Sequence, residues 1–203
     1  MVAEIPVLEG HGLRLRPHTD ADIDAVAERC VDPETVRWTT VPSPYDAGMA
    51  RDYLAQMADP ANPDTCVAIE VDGRYAGTVD LRPYATAPEH AGGSVGFVTS
   101  PWARGRQVMT RAMAVACDHA FGTLRWQFVV WQANVGNLAS YKAVWRLGFP
   151  LPVTVPALLL HRDRMRDGWH SVLEHDALRE PALPWPDAEA ALLASAATAR
   201  RPG

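Results

Sequence analysis

Across a single proline at residue 101 the chain changes its repeat from that of a strand to that of a helix, which narrows the possible folds more than any other feature. In Gly92-Gly93-Ser94-Val95-Gly96-Phe97-Val98-Thr99-Ser100, Val95, Phe97 and Thr99 alternate with Ser94, Gly96 and Val98, the period-two pattern of a strand. Pro101 has no N–H to donate, so the strand ends or splays there. Met109, Ala112, Met113, Ala116 and Ala120 then recur at helical spacing, giving one stripe that can lie on a sheet. Between them stands a short cationic turn, Arg104-Gly105-Arg106-Gln107. A strand that feeds a sheet-packed helix through such a turn reads as α/β.

The start of that helix has its own chemistry. Its first backbone N–H groups lack intrahelical partners and carry the positive end of the macrodipole, so an anion is bound there without a dedicated side chain. Arg104, Arg106 and Arg111 add full charges, and Gly105 permits close backbone approach. Backbone groups freed beside Pro101 can pair with an extended ligand. Taken alone, the same residues equally describe a solvated loop after an ordinary strand end.

Downstream, Thr123 to Trp131 is read as a strand with Leu124, Trp126, Phe128 and Val130 on one face. A second helix spans Asn134 to Phe149, opened by Asn-rich capping and closed by Gly148 as a left-handed C-terminal residue. Asn137 and Ser140 share one helical face; by themselves they suggest a cap and an unremarked hydroxyl.

In this order the segments resemble the GNAT superfamily of acyl-CoA N-acyltransferases, and within it the RimJ/RimL type. The likeness is carried by Val95-Gly96-Phe97-Val98-Thr99-Ser100-Pro101-Trp102-Ala103-Arg104-Gly105-Arg106, by Asn137-Leu138-Ala139-Ser140 and by Leu147-Gly148-Phe149. Leu13-Arg14-Leu15-Arg16-Pro17 with Asp20-Ala21-Asp22, and Thr39 to Tyr45, add to it. The resemblance implies a mixed, mostly antiparallel sheet with splayed central strands and helices on both faces, and acetyl-CoA as co-substrate. It implies a pantetheine arm on the strand backbone at Val98 and Thr99, and a pyrophosphate on the turn Arg104, Gly105, Arg106, Gln107, Val108 and Met109. Asn137 would contact the cofactor, and Ser140 would donate to the departing thiolate. Two positions depart from the family pattern: Gln107 stands where a second glycine is usual, and Val144 where other branches place a tyrosine acid.

Acetylating an amine requires removal of a proton and donors for an oxyanion. The backbone N–H near Val98 to Thr99 is the natural oxyanion donor. Ser94 stands where relatives often carry a carboxylate, leaving Asp80, Glu89 and His90 as candidate bases, each equally readable as a structural or solvated group. Trp38, Tyr45 and His90 are candidate residues of the acceptor pocket, with a core role open for the two aromatics and a solvated one for His90.

The remaining elements are a strand at Leu13 to Arg16, a helix capped by Asp20, helices near Pro33 to Trp38 and Asp46 to Met57, and a hairpin of Thr65 to Val71 with Arg74 to Leu81 through Asp72-Gly73. Val153 to Leu160 and Trp169 to Leu173 complete the sheet around a turn at Arg162 to Gly168. Residues 1–180 are expected to form one domain, and 181–203 a Pro/Ala-rich tail that reads either as a short helix near Ala188 to Ala197 or as a frayed end, whose Leu192 and Leu193 could dock on the domain or on a second subunit. A chain of 203 residues with 48% hydrophobic content suffices for one core, and a net charge of −5 argues against a nucleic-acid partner. Cys30, Cys66 and Cys117 have neither disulfide-scaffold nor zinc spacing, which with no readable leader or membrane segment suggests the cytoplasm. No metal is expected, and a monomer and a homodimer fit equally. Three functional classes fit: an acetyl-CoA-dependent N-acetyltransferase acting on a protein N-terminus or small-molecule amine, a catalytically silent acyl-CoA-binding module, and another nucleotide-binding α/β enzyme. The last lacks both a Gly-x-Gly-x-x-Gly run and a P-loop.

Overall fold

Asp72 and Gly73 both adopt positive φ, 51° and 74°, the backbone that a two-residue hairpin requires. They join β3 (Thr65–Val71) to β4 (Arg74–Pro83) as an antiparallel pair. The computed structural model describes residues 7–84 and 90–199, and in it this hairpin lies within one eight-stranded sheet. Its other strands are β1 (Leu8–Gly10), β2 (Leu13–Arg16), β5 (Gly92–Thr99), β6 (Phe128–Asn134), β7 (Val153–His161) and β8 (Arg164–Glu174). The order across the sheet is β1-β2-β3-β4-β5-β6-β8-β7. Only β5 and β6 pair in parallel among the described residues.

The helices are α1 (Ile23–Val31), α2 (Pro33–Trp38), α3 (Ala47–Met57), α4 (Val108–Gly122), α5 (Leu138–Trp145) and α6 (Trp185–Ala199). Strand alternation divides the apolar residues between two layers. Val67 and Ile69 of β3 join the large core beneath α4, whereas Ala68 joins a smaller cluster with Ile23, Val26 and Cys30 of α1 and Ala50 and Leu54 of α3. The stripe read from the sequence is the buried face of α4: Met109, Ala112, Met113, Ala116 and Ala120 are all buried.

Helix starts differ in a way that matters for the site. Asp32, Asp46 and Asn137 cap α2, α3 and α5 by accepting from the backbone N–H of Thr35, Met49 and Ser140. Gln107 enters α4 in the left-handed region, φ 56° and ψ 17°, and its side chain caps nothing. A side chain in that conformation costs about 1 kcal/mol relative to glycine, which is the physical meaning of the glycine expected there.

Several elements differ from expectation. The helix read from Asn134 to Phe149 is α5, Leu138–Trp145, because Asn134 still belongs to β6 and Asn137 is the residue that caps the helix. The strand read at Thr123 to Trp131 begins at Phe128, because α4 runs to Gly122 and Arg125 takes φ 57°. The turn read at Arg162 to Gly168 shrinks to Arg162 and Asp163, at φ 49° and 61°, placing Arg164 and Arg166 within β8. Thr19, not Asp20, opens the first helical turn, its N–H donating to Asp22 at 2.9 Å. Strand β1 has no counterpart in the sequence reading.

Helix α6 begins at Trp185, ahead of the short helix expected, and is packed on the domain. The Trp185 ring meets Trp145 edge-on with centroids 5.2 Å apart, and Lys142 sits 4.4 Å from its centre. Ala188 and Leu192 are buried in the main core, while Leu193 is 54% exposed.

Leu192→Ala should therefore lower the unfolding free energy by roughly 2–4 kcal/mol and Leu193→Ala by less than about 0.5 kcal/mol, both read from urea melts. Equal effects would mean that α6 is not docked in solution. Gln107→Gly should raise stability by up to about 1 kcal/mol by relieving the left-handed side chain, and Gln107→Val should lower it. A Gly variant less stable than the parent would refute that strain.

Candidate active site

Parallel strands β5 and β6 pair from Gly92↔Phe128 to Val95↔Trp131 and no further. Beyond that point β5 follows β4 out to Thr99↔Gly77, while β6 follows β8 out to Asn134↔Gly168. Gly96–Thr99 and Gln132–Asn134 thus face each other across an opening without ladder hydrogen bonds. Gly77, at φ 145°, keeps β5 against β4, since any Cβ there would collide with the Val98 carbonyl. A cavity of about 880 Å³ fills the opening, drawing its walls from both faces of the sheet.

On the α4 and α5 side the wall includes Val98, Thr99, Met109, Trp131, Asn137, Ser140 and Ala143. Asn137 both caps α5, accepting from Ser140 N at 3.2 Å, and borders the cavity. The buried Trp131 indole donates to Ser140 Oγ at 3.1 Å. A hydroxyl that accepts from an N–H keeps its own hydrogen to donate elsewhere, so Ser140 is preset as a donor. Val144 is fully buried, and the Tyr141 hydroxyl is directed to the carbonyls of Phe149 and Pro150. No phenol from α5 therefore serves as an acid.

The arginines around the turn before α4 make contacts within the protein. The Arg104 guanidinium donates to Asp32 at 2.5 Å and to Thr35 Oγ1 at 3.1 Å, bracing α2 against the turn. That ion pair holds the Asp32 carboxyl below its usual range. Arg111 donates to the His11 carbonyl at 2.8 Å, and Arg106 lies 5.9 Å from the Trp102 ring centre. Arg104 and Met109 both line the cavity, while Val108 between them is buried in the core. The backbone N–H groups of Val108, Met109 and Thr110 have neither an intrahelical acceptor nor a side-chain cap.

The opposite wall carries Arg29, Cys30, Trp38, Tyr45, Tyr53, Asp80 and Gly96. Trp38 and Tyr45 are half-buried and border the cavity as expected of pocket residues. Trp38 donates to Glu34 at 3.0 Å. Asp80 accepts from Arg82 through Oδ2 at 2.7 Å, while its Oδ1 is buried without a partner. Behind it, Tyr53 Oη lies 3.4 Å from Cys66 Sγ and His18 Nε2 lies 3.6 Å from the same sulfur. Burial, reinforced by Asp80, pushes the Tyr53 hydroxyl and the Cys66 thiol up. Burial also pushes Tyr45 up to about 12 and His18 down to about 4. These neighbours are therefore neutral near pH 7.

His90 is exposed and contributes nothing to the cavity wall, and Glu89 falls outside the described residues. Among the cavity residues that escaped the sequence reading are Arg29, Trp131, Asn134 and His161. Arg29 offered a signal, since it stands three residues after Val26 on the apolar stripe of α1. Trp131 lies on the strand face opposite the one emphasised, and Asn134 and His161 end their strands without a motif.

Residues 12–150 match the family described as the Acetyltransferase (GNAT) domain. No curated protein matches the chain. Among solved structures, an acetyltransferase-type protein of T. thermophilus is 25% identical, with 96% of this chain and 98% of that one covered at a TM-score of 0.74. RimL, the ribosomal L7/L12 alpha-N-protein acetyltransferase in complex with coenzyme A, is 14% identical over 83% and 98% of the two chains, at a TM-score of 0.71. Mycobacterium smegmatis RimJ, in complex with CoA-disulfide, is 17% identical over 93% of each chain, at 0.71. With the family matched over residues 12–150 and the overall fold shared with these structures, the chain belongs to the GNAT acetyltransferases.

Proposed function

We propose that the protein binds acetyl-CoA through the opening between β5 and β6 and transfers the acetyl group directly to a primary amine held on the other side of the sheet. The observation that carries this reading is the loss of β5–β6 pairing after Val95↔Trp131, which leaves strand backbone free along one cavity. An extended pantetheine arm can pair with the Gly96–Thr99 edge, and the diphosphate can rest on the uncapped start of α4. Asn137, on the wall beside Ser140, is assigned to the cofactor side.

The chemistry follows from the groups at hand. An alkyl ammonium must lose a proton before it can attack a thioester. The unpartnered Oδ1 of Asp80 accepts that proton in this reading, because the neighbouring tyrosines, Cys66 and His18 are held neutral and His18 is enclosed behind Cys66. Asp80 pairs across the strands with Gly96, and so stands beside the point where the two strands part. The backbone N–H near Val98 to Thr99 steadies the oxyanion. As the C–S bond breaks, Ser140 donates to the thiolate, its oxygen already held by the Trp131 indole.

Free-thiol release from acetyl-CoA with a panel of amines tests the reading. Ser140→Ala should lower kcat on the order of 10²-fold, with unchanged CoA affinity by calorimetry. Asp80→Asn should lower kcat/KM at neutral pH, the deficit narrowing as pH rises and the free amine becomes abundant. Unchanged rates in both variants would overturn these roles, and absence of thiol release with every amine would overturn transfer itself.

A further inference from the structure

The acceptor wall contains a buried charge that no ion pair among the described residues answers, with Asp80 acting on it only at longer range. Arg29 of α1 is only 4% exposed. Among the described residues its one hydrogen bond is from Nη2 to the sulfur of adjacent Cys30, at 3.8 Å, and its Nε is buried with no partner. No carboxylate lies within ion-pairing distance of it among the described residues. A guanidinium does not shed its proton near neutral pH, and a buried charge without a counter-ion is strongly unfavourable. Arg16 shows how the same fold treats an arginine that serves only structure. It donates to Asp22 at 2.7 and 2.9 Å and to Glu70 at 2.6 Å.

Arg29 borders the 880 Å³ cavity, and also a smaller one of about 290 Å³ formed with Arg16, Asp22, Tyr75, Ser100 and Trp102. On the wall of the larger cavity stands a second unanswered atom of opposite sign, the buried Oδ1 of Asp80. Val41, Tyr45 and Met49 supply apolar and aromatic surface to the same chamber. One unpaired cationic fork, one unpaired carboxylate oxygen and an apolar lining together describe the complement of a zwitterion with an apolar side chain.

We infer that the acceptor is a small amino carboxylic acid with an apolar side chain, its carboxylate received by the forked N–H donors of Arg29 and its amine turned toward Asp80. This deepens the acetyl-transfer reading above and rests on it. A guanidinium matches a carboxylate in plane and can bind it through paired N–H bonds. A polyamine would bring a second positive charge against Arg29. A polypeptide N-terminus would offer only a neutral carbonyl at that point.

The test compares matched ligands on the full-length protein. Acetylation of phenylalanine should exceed that of phenylalaninamide and of phenethylamine by at least about 100-fold in kcat/KM, as expected when a buried polar group loses its partner. That ratio should collapse in Arg29→Gln and be partly retained in Arg29→Lys, with thermal melting confirming that each variant is folded. Independently of turnover, N-acetylphenylalanine should bind the CoA-loaded protein at least about 10-fold more tightly than its amide by calorimetry, and Arg29→Gln should erase the difference. Equal handling of acid and amide in both assays would overturn the inference while leaving amine acetylation standing. Preferential binding of the acid without any thiol release would support the Arg29 site and overturn the transfer reading instead.

Discussion

Hydrogen bonding between β5 and β6 stops at Val95 and Trp131, and the rest of the site follows from that interruption. Each strand keeps a partner on its other flank, β4 for β5 and β8 for β6, so the sheet opens without either strand losing its place. Gly77 secures one side of the opening through a contact that a side chain would prevent. Buried backbone groups demand partners, and an opening of this kind leaves a line of them along Gly96–Thr99 without ladder bonds to β6. The helix that follows β5 begins at the same end, with Met109 of its first turn on the wall of the same cavity. Strand edge and helix start are thus one device, formed by a single strand–turn–helix unit.

Charge is used sparingly around this device. The arginines flanking the turn are engaged mainly in holding neighbouring elements: Arg104 ties α2 to the turn, and Arg111 ties the β1–β2 connection to α4. On the acceptor side the pattern reverses. Arg29 and Asp80 are buried beside the cavity with polar atoms left unmatched, while the phenols, thiol and imidazole near them are kept neutral by burial. The fold thus answers Arg16 with two paired carboxylates and gives Arg29 no ion pair among the described residues, only the more distant charge of Asp80.

Much of this was legible in the residues because it depends on local chemistry. The stripe from Met109 to Ala120 could face only a sheet, Asp72-Gly73 could form only a tight turn, and Gly148 takes the left-handed φ of 84° expected of a helix terminator. What stayed hidden depends on partners distant in sequence. Nothing around Arg104 announces Asp32, and nothing around Ser140 announces the indole of Trp131. The start of β6 was misplaced because Leu124 and Trp126 alternate as a strand would, while α4 runs on to Gly122 and Arg125 breaks the extended path. Strand β1, only three residues long, is held by pairing with β2 and has no propensity signal of its own. Arg29 is the instructive case: a charged residue on an apolar helical stripe contradicts the pattern, and such a contradiction marks a place where sequence has been shaped by something other than folding.

Amide hydrogen exchange of the full chain, with and without saturating coenzyme A, tests most directly whether the parted strands and the helix start form one ligand site. Exchange should slow at Gly96–Thr99 together with Gly105–Thr110, and stay unchanged along β3, which does not line the cavity. Protection confined to one of the two segments, or to neither, would contradict a single shared site.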